Sequence, residues 1–171
     1  MLQRSNLAHL DGLQAALAAS HDELRAFMDW VGDEPQTIEV TRQYLIDQGT
    51  AWEARHEFTF AMTDPANDDV IGNCSLMARQ GPGRLEIGYW VRSDRVGAGV
   101  ATAAASLLTD AAFDIDGIEI VEIHHDAANV ASSRVPEKLG YTEVARRPVE
   151  IDSPGEVGID VVWELTRSAR P

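Results

Sequence analysis

The sequence predicts a single α+β domain over residues 1–171, built on a mixed, mostly antiparallel sheet of about six to seven strands with flanking helices. Three observations predict it. Apolar residues recur at helical spacing through residues 5–55. At residue 57 the pattern switches to two-residue alternation in three runs, each separated by a short turn signal. From residue 99 onward helix and strand signals alternate, with no internal repeat, low-complexity tract or linker. A chain of 171 residues and 18.7 kDa is long enough to bury one sizeable core.

Each element has a local reason. "MLQR" reads as a short first strand. A helix is expected from about Leu7 to Ala19, with Leu7, Leu10, Leu13 and Leu17 at helical spacing and Asn6 or Ser5 as cap. "HDELRAFMDW" reads as a second helix, stopped by the turn signal ending in Pro35. "TIEVTRQYLIDQGTAWEAR" reads as a third, with Gly49 as a point of interruption. "EFTFAMTD", "VIGNCSLMAR" and "RLEIGYWV" form an antiparallel meander across residues 57–91. Residues 99–113 are helical, with Val100, Ala104, Leu107, Leu108 and Ala111 on one face. "GIEIVEIHH" is a strand, "NVASSRVPEKLG" a helix, and "YTEVARRPVEI" and "GIDVVWEL" are two closing strands. Pro136 cannot donate to the carbonyl of Ser132, so a bend or split is expected there; Gly140 then supplies a left-handed cap.

Composition excludes several classes. The net charge is −14, and no basic face is visible, which argues against nucleic-acid binding. An acidic surface steers cationic partners, and equally it keeps a protein soluble. No apolar run is long enough to span a bilayer, and no leader pattern is visible, so a cytoplasmic location is expected. The lone cysteine, Cys74, lies in a strand; a disulfide framework and a cysteine zinc site are excluded, and no metal is expected. Cys74 reads as a small buried hydrophobe rather than a nucleophile. A homodimer is compatible with the sequence.

The chemistry centres on "VRSDRVGAGVAT". A helix start leaves backbone N–H groups without partners and carries partial positive charge, so it suits a phosphate. Gly97 and Gly99 strip side chains from the approach to that start. A Walker loop would need Gly-Lys-Ser/Thr, and a dinucleotide fold three glycines after a parallel strand; neither is present. Binding of the pyrophosphate of coenzyme A is the third option.

With both motifs in view, "EIGYWVRSDRVGAGVAT" resembles the coenzyme-binding motif of the GNAT N-acetyltransferases, and "NVASSRVPEKLGY" resembles their second motif. The pairing is most similar to the RimJ/RimL-like, ribosomal-protein-alanine acetyltransferase branch, as is "AASHDELRAFMDW" near the N-terminus. The resemblance covers roughly residues 5–165 and implies a GNAT-like fold, acetyl-CoA as cofactor, and acetyl transfer to an amine. It implies backbone contacts to the pyrophosphate from Val96, Gly97, Ala98, Gly99, Val100 and Ala101. Val96 stands where the family usually has Arg or Gln, so Arg95 would have to serve from a shifted position. Arg92, Arg134 and Lys138 are further candidate cations. Asn129 either caps its helix or bonds the pantetheine arm, and Ser132 occupies the position of the sulfur-side proton donor.

Acetyl transfer needs a neutral amine, a held oxyanion and a protonated leaving thiolate. Trp90 and Val91 end a strand that supplies a free backbone N–H if it parts from the strand ending near His124, and Gly88 suggests a bulge or a close backbone approach. Glu86 is the candidate base, although alternation places it with Gly88 and Trp90, on the face opposite Val91. His124 or His125 is the reserve. A lysine amine is neutral at pH 7 in about one molecule per 2,500, an α-amine in about one in seven, so a protein N-terminus is the easier acceptor. A polyamine or aminoglycoside-like amine is the other option. Trp30, Trp52, Asp29 and Glu34 are candidates to cover the acceptor. A non-catalytic acyl-CoA-binding domain is the alternative to an enzyme.

Overall fold

The computed structural model describes residues 1–170. Its strands are β1 (Leu2–Arg4), β2 (Glu57–Thr63), β3 (Val70–Met77), β4 (Arg84–Val91), β5 (Ile120–Asp126), β6 (Thr142–Pro148) and β7 (Ile159–Thr166). They form one seven-stranded sheet in the order β1-β2-β3-β4-β5-β7-β6. Every neighbouring pair is antiparallel except β4 with β5. The helices are α1 (Leu10–Ala18), α2 (His21–Arg25), α3 (Ile38–Glu53), α4 (Val100–Phe113) and α5 (Val130–Lys138).

Alternation along β4 divides the interior in two. Leu85 and Ile87 point into the larger core, joined by Ala104, Leu108 and Phe113 of α4 and by Val135 of α5. Trp90, on the other face, packs with Leu10, Leu13, Leu24 and Leu45 of the N-terminal helices. The sheet is thus covered by α4 and α5 on one side and by α1 and α3, over β2 and β3, on the other. Among the described residues no helix is long and apolar enough to cross a membrane.

Local rules held where a cap or a turn residue dominates. Asn6 accepts from the Ala8 N–H, Thr37 accepts from Val40, and Asn129 accepts from Ser132, each at a helix start. Gly140 (φ +77°) ends α5: its N–H reaches the Glu137 carbonyl, and the Tyr141 N–H reaches that of Pro136. That pair of bonds is a Schellman closure.

Five expectations need correction. The second helix stops at Arg25, and a 3₁₀ turn at Asp29–Val31 follows; this break lets Leu24 and Val31 enter the core while Phe27 and Met28 face the cavities described below. Gly49 does not interrupt α3, and Pro136 does not split α5. On α4 the buried face is Ala104, Ala105, Leu108, Thr109, Ala112 and Phe113, and Leu107 is 56% exposed. In an alanine-rich helix the apolar pattern is too even to fix its rotation, and contact with the sheet decides it. Gly88 makes no bulge, since β3 and β4 stay in register from Gly72↔Val91 to Met77↔Glu86. A Cβ there would lie 2.9 Å from Met77 Cε, the end of a flexible side chain, and its three nearest neighbours are all side-chain atoms, so no close backbone approach is made either.

Candidate functional site

The site starts from a failure of pairing. Strands β4 and β5 are bonded only where Arg84, Leu85 and Glu86 face Ile120, Val121 and Glu122. Beyond that point β4 continues against β3 to Val91, and β5 continues against β7 to Asp126, leaving a slot through the sheet. The Arg92 N–H donates to the Ile71 carbonyl of the β3 side at 2.9 Å. Strand alternation therefore turns the Tyr89 and Val91 N–H groups away from β3, into the slot.

On the α4–α5 side of the slot lies a groove of about 590 Å³. Gly97 (φ +82°) and Gly99 (φ +81°) form its floor, and Gly99 is the left-handed N-cap of α4. A Cβ at either would meet nothing within 4 Å, so backbone conformation, not crowding, demands glycine here. No side chain caps α4 and no acidic residue sits in its first turn. The N–H groups of Val100, Ala101 and Thr102 thus open onto the groove as an unshielded donor set. Arg95, Arg134 and Lys138 line the groove against Glu23, a local excess of positive charge in a chain of net −14. Arg134 and Lys138 make no ion pair among the described residues, whereas Arg95 reaches Asp64 at 3.1 Å. Val96 is 60% exposed at the groove's rim and brings no charge. Arg92 stands outside it, its guanidinium bonded to Asp94 at 2.6 Å and turned towards the Val70 carbonyl.

On the opposite side is a cavity of about 670 Å³ beneath the N-terminal helices. Four carboxylates line it, Asp29, Glu57, Glu86 and Asp126, against Arg79 and His124. Trp30, Tyr44 and Phe27 supply aromatic wall. Glu86 is buried and accepts from Nε and Nη2 along one edge of the Arg79 guanidinium, one to each oxygen, and from the Gln80 amide at 2.5 Å. Burial alone would raise its pKa, but these partners and His124 hold the carboxyl below the usual carboxylate range. His124 lies between Asp160 (3.2 Å) and Glu122 (2.8 Å), one per ring nitrogen. Burial disfavours its charge, yet the two carboxylates prevail and raise its pKa, which favours an imidazolium. The other histidine, His125, accepts from the Trp163 indole at 2.9 Å and bonds the Asp126 carbonyl at 2.8 Å. Both oxygens of Glu86 and both ring nitrogens of each histidine are thus already engaged in hydrogen bonds.

The groove and the cavity meet across Phe27, Met28, Tyr89, Trp90, Asn129 and Ser132, which line both. Asn129 Oδ1 is spent on capping α5, leaving its Nδ2 without a partner among the described residues. Ser132 lies one turn into α5, and the Tyr89 hydroxyl sits 3.1 Å from its Oγ and 3.2 Å from its carbonyl oxygen. Cys74 also borders the cavity, but it is 1% exposed and burial pushes its thiol up to about 12. A neutral thiol is no nucleophile.

Of the residues expected to cover the acceptor, Trp30 lines the cavity, while Trp52 and Glu34 do not. Trp52 stacks edge-on against Phe58 and Phe60, with Arg4 over its ring at 4.6 Å, and Glu34 is exposed. Sequence reasoning missed Arg79, Tyr44 and the hydroxyl of Tyr89. Only the last had a signal: Pro136 frees the Ser132 carbonyl, and a freed carbonyl asks for a donor. Among the described residues no group of three or more metal-ligating side chains is assembled.

Known proteins give the arrangement a place. The chain is 29% identical over 136 residues to the probable N-acetyltransferase YjcK of Bacillus subtilis, covering 77% of this chain and 71% of that one. Its fold matches RimL, the ribosomal L7/L12 alpha-N-protein acetyltransferase in complex with coenzyme A, with a TM-score of 0.86 at 18% identity over 98% of this chain and 94% of that one. It also matches the microcin C7 self-immunity acetyltransferase MccE in complex with acetyl-CoA and AMP, with a TM-score of 0.87 at 15% identity over 96% and 91% of the two chains. At such identities these two structures establish the fold alone. The acetyltransferase (GNAT) domain family matches residues 1–142, most of the chain, and on that match, with a slot through the sheet and a bare helix entrance beside it, the protein belongs to the GNAT acetyltransferases.

Proposed function

We propose that this protein transfers an acetyl group from acetyl-CoA directly to a primary amine within a ternary complex, with a protein N-terminal α-amine as the favoured acceptor. One observation carries the reading: a bare-backbone groove with local positive charge meets an acidic cavity at the slot between β4 and β5. The groove suits a polyanionic, elongated thioester; the cavity suits a cationic amine. The fold neighbour named for alpha-N-protein acetylation supports the choice of acceptor.

Each role follows from position. The N–H groups of Gly97 and Gly99 through Ala101 hold the pyrophosphate, and Arg134 and Lys138 neutralise the adenosine end. Asn129 Nδ2 donates to the pantetheine arm. Val91 or Tyr89 N–H, facing the slot, steadies charge developing on the acetyl oxygen; such a donor typically contributes about two to three orders of magnitude in rate. The amine nitrogen bonds the acetyl carbon as the carbon–sulfur bond breaks. Ser132 Oγ gives its proton to the departing sulfur and regains one from water that has taken the proton of the amine. Water takes that proton because Glu86 and His124 are held in ion pairs. An α-amine tolerates this, since about one in seven is neutral at pH 7. The acidic wall of Asp29 and Glu57 retains the charged form of the acceptor until it loses its proton.

Coenzyme A release measured with acetyl-CoA against N-terminal peptides, polyamines and aminoglycosides tests the reading. Turnover is expected with peptides bearing a free α-amine. Tight acetyl-CoA binding without turnover on any amine would instead favour a non-catalytic acyl-CoA-binding domain.

A further inference from the structure

We infer that Tyr89 is a positioning residue for Ser132, its hydroxyl replacing the backbone donor that Pro136 removes from α5. The inference rests on Ser132 being the proton donor proposed above. In an uninterrupted α-helix the N–H of residue 136 would bond the carbonyl of residue 132. Proline has no N–H, so this carbonyl is left open one turn from the reaction slot. The helix nevertheless continues through Pro136, whose ring is fully buried. What closes the gap is a side chain from another element: the Tyr89 hydroxyl, 3.2 Å from the Ser132 carbonyl oxygen.

The same hydroxyl lies 3.1 Å from Ser132 Oγ, and its single hydrogen decides the direction of both bonds. A carbonyl can only accept, so the Tyr89 hydrogen goes to it. The Ser132 hydroxyl must then be the donor in the second contact, with Tyr89 Oη accepting. This holds Ser132 protonated and fixes its rotamer at the place where groove and cavity meet. Burial pushes the Tyr89 hydroxyl up to about 12, although its bond to Ser132 works the other way, so Tyr89 stays neutral and keeps that hydrogen at any working pH. When the sulfur becomes anionic it outcompetes the neutral phenol oxygen for the Ser132 proton. Tyr89 itself exchanges no proton with either substrate.

Two cycles test this with different readouts. The first needs no acceptor and no acetyl-CoA: thermal unfolding of Tyr89→Phe, Pro136→Ala and the double variant. Tyr89→Phe is expected to lower Tm by about 3 °C in the wild-type background. In the Pro136→Ala background the same change is expected to cost under about 1 °C, because the backbone at position 136 then carries an N–H that satisfies the Ser132 carbonyl. Equal losses in both backgrounds would overturn the inference. The second cycle compares Ser132→Ala, Tyr89→Phe and their combination in coenzyme A release with an α-amine peptide. Tyr89→Phe is expected to lower kcat about 10-fold with KM for acetyl-CoA within about 2-fold, and the double variant should be no slower than Ser132→Ala. Losses that multiply, or a wild-type kcat for Tyr89→Phe beside a slow Ser132→Ala, would remove Tyr89 alone. A wild-type kcat for Ser132→Ala would remove the role of Ser132 and this inference with it.

Discussion

The groove and the cavity on either side of the slot are built from different materials. The groove is backbone: glycines at positive φ, orphan amides of α4 and a loop of consecutive residues. The cavity is side chain, assembled from the N-terminal helices, β2, β3, β4 and β5, with Glu86 paired to Arg79 and His124 to Glu122 and Asp160. A backbone site tolerates changes in side chain and fails when the backbone is covered. A side-chain site shifts with each substitution but has no single point of failure. That contrast matches a fixed donor on one side and a variable acceptor on the other.

Covering the backbone should therefore give the largest effect. Gly99→Glu adds a side chain at φ +81° and a negative charge at the α4 entrance. Acetyl-CoA affinity, read by calorimetry, is expected to fall on the order of 100-fold or more while unfolding stays cooperative. Unchanged affinity would mean that the loop is only a turn. Ser132→Ala comes next, with kcat lowered on the order of 10- to 100-fold at nearly constant KM for acetyl-CoA.

Asp126 is a mechanical tie on the wall of the cavity. Its carboxylate accepts from the N–H groups of Ala128, Val157, Gly158 and Ile159, tying the end of β5 to the start of β7. Burial pushes its pKa up, but those four donors outweigh it and hold the carboxyl below the usual range. Its contribution is thus present above the ordinary carboxylate pKa and is lost as pH falls through the depressed folded value. Asp126→Ala is expected to cost about 2 kcal/mol, or about 6 °C in Tm, with the effect shrinking in acid. An equal effect at low pH would contradict the assignment.

His124 has the opposite sign. Its folded pKa is raised, so its stabilisation is full below the ordinary imidazole pKa of about 6.5 and is lost as pH rises through the folded value. His124→Gln should flatten the decline of Tm above about pH 6.5 relative to wild type. The smallest change is expected in the acceptor cavity: Glu86→Gln should slow turnover by less than about 10-fold, because the carboxylate is already held by Arg79 and Gln80. A loss of about 100-fold or more would restore Glu86 as the base.

Much of the fold was legible because its signals are local. The β2–β4 meander, the caps at Asn6 and Asn129, and the stop at Gly140 each depend on a few adjacent residues. The glycine loop was legible for the same reason, since positive φ and a missing Cβ act on the chain at that point. The rotation of α4 was not, because alanine offers little contrast between faces. Nor was the fate of Glu86, whose clamp comes from Arg79 and Gln80 in the preceding turn, or that of Trp52, drawn to Phe58, Phe60 and Arg4.

By itself the sequence determined the order of the elements, the bare entrance to α4 and the vacancy that Pro136 leaves on Ser132. Only the tertiary structure decided that β4 and β5 part after Glu86, that the two cavities meet at Ser132, and that Tyr89 answers Pro136. The reason is range: torsions and missing donors belong to single residues, whereas a slot, a charge pair and a borrowed hydrogen bond belong to elements that meet only after the chain has folded.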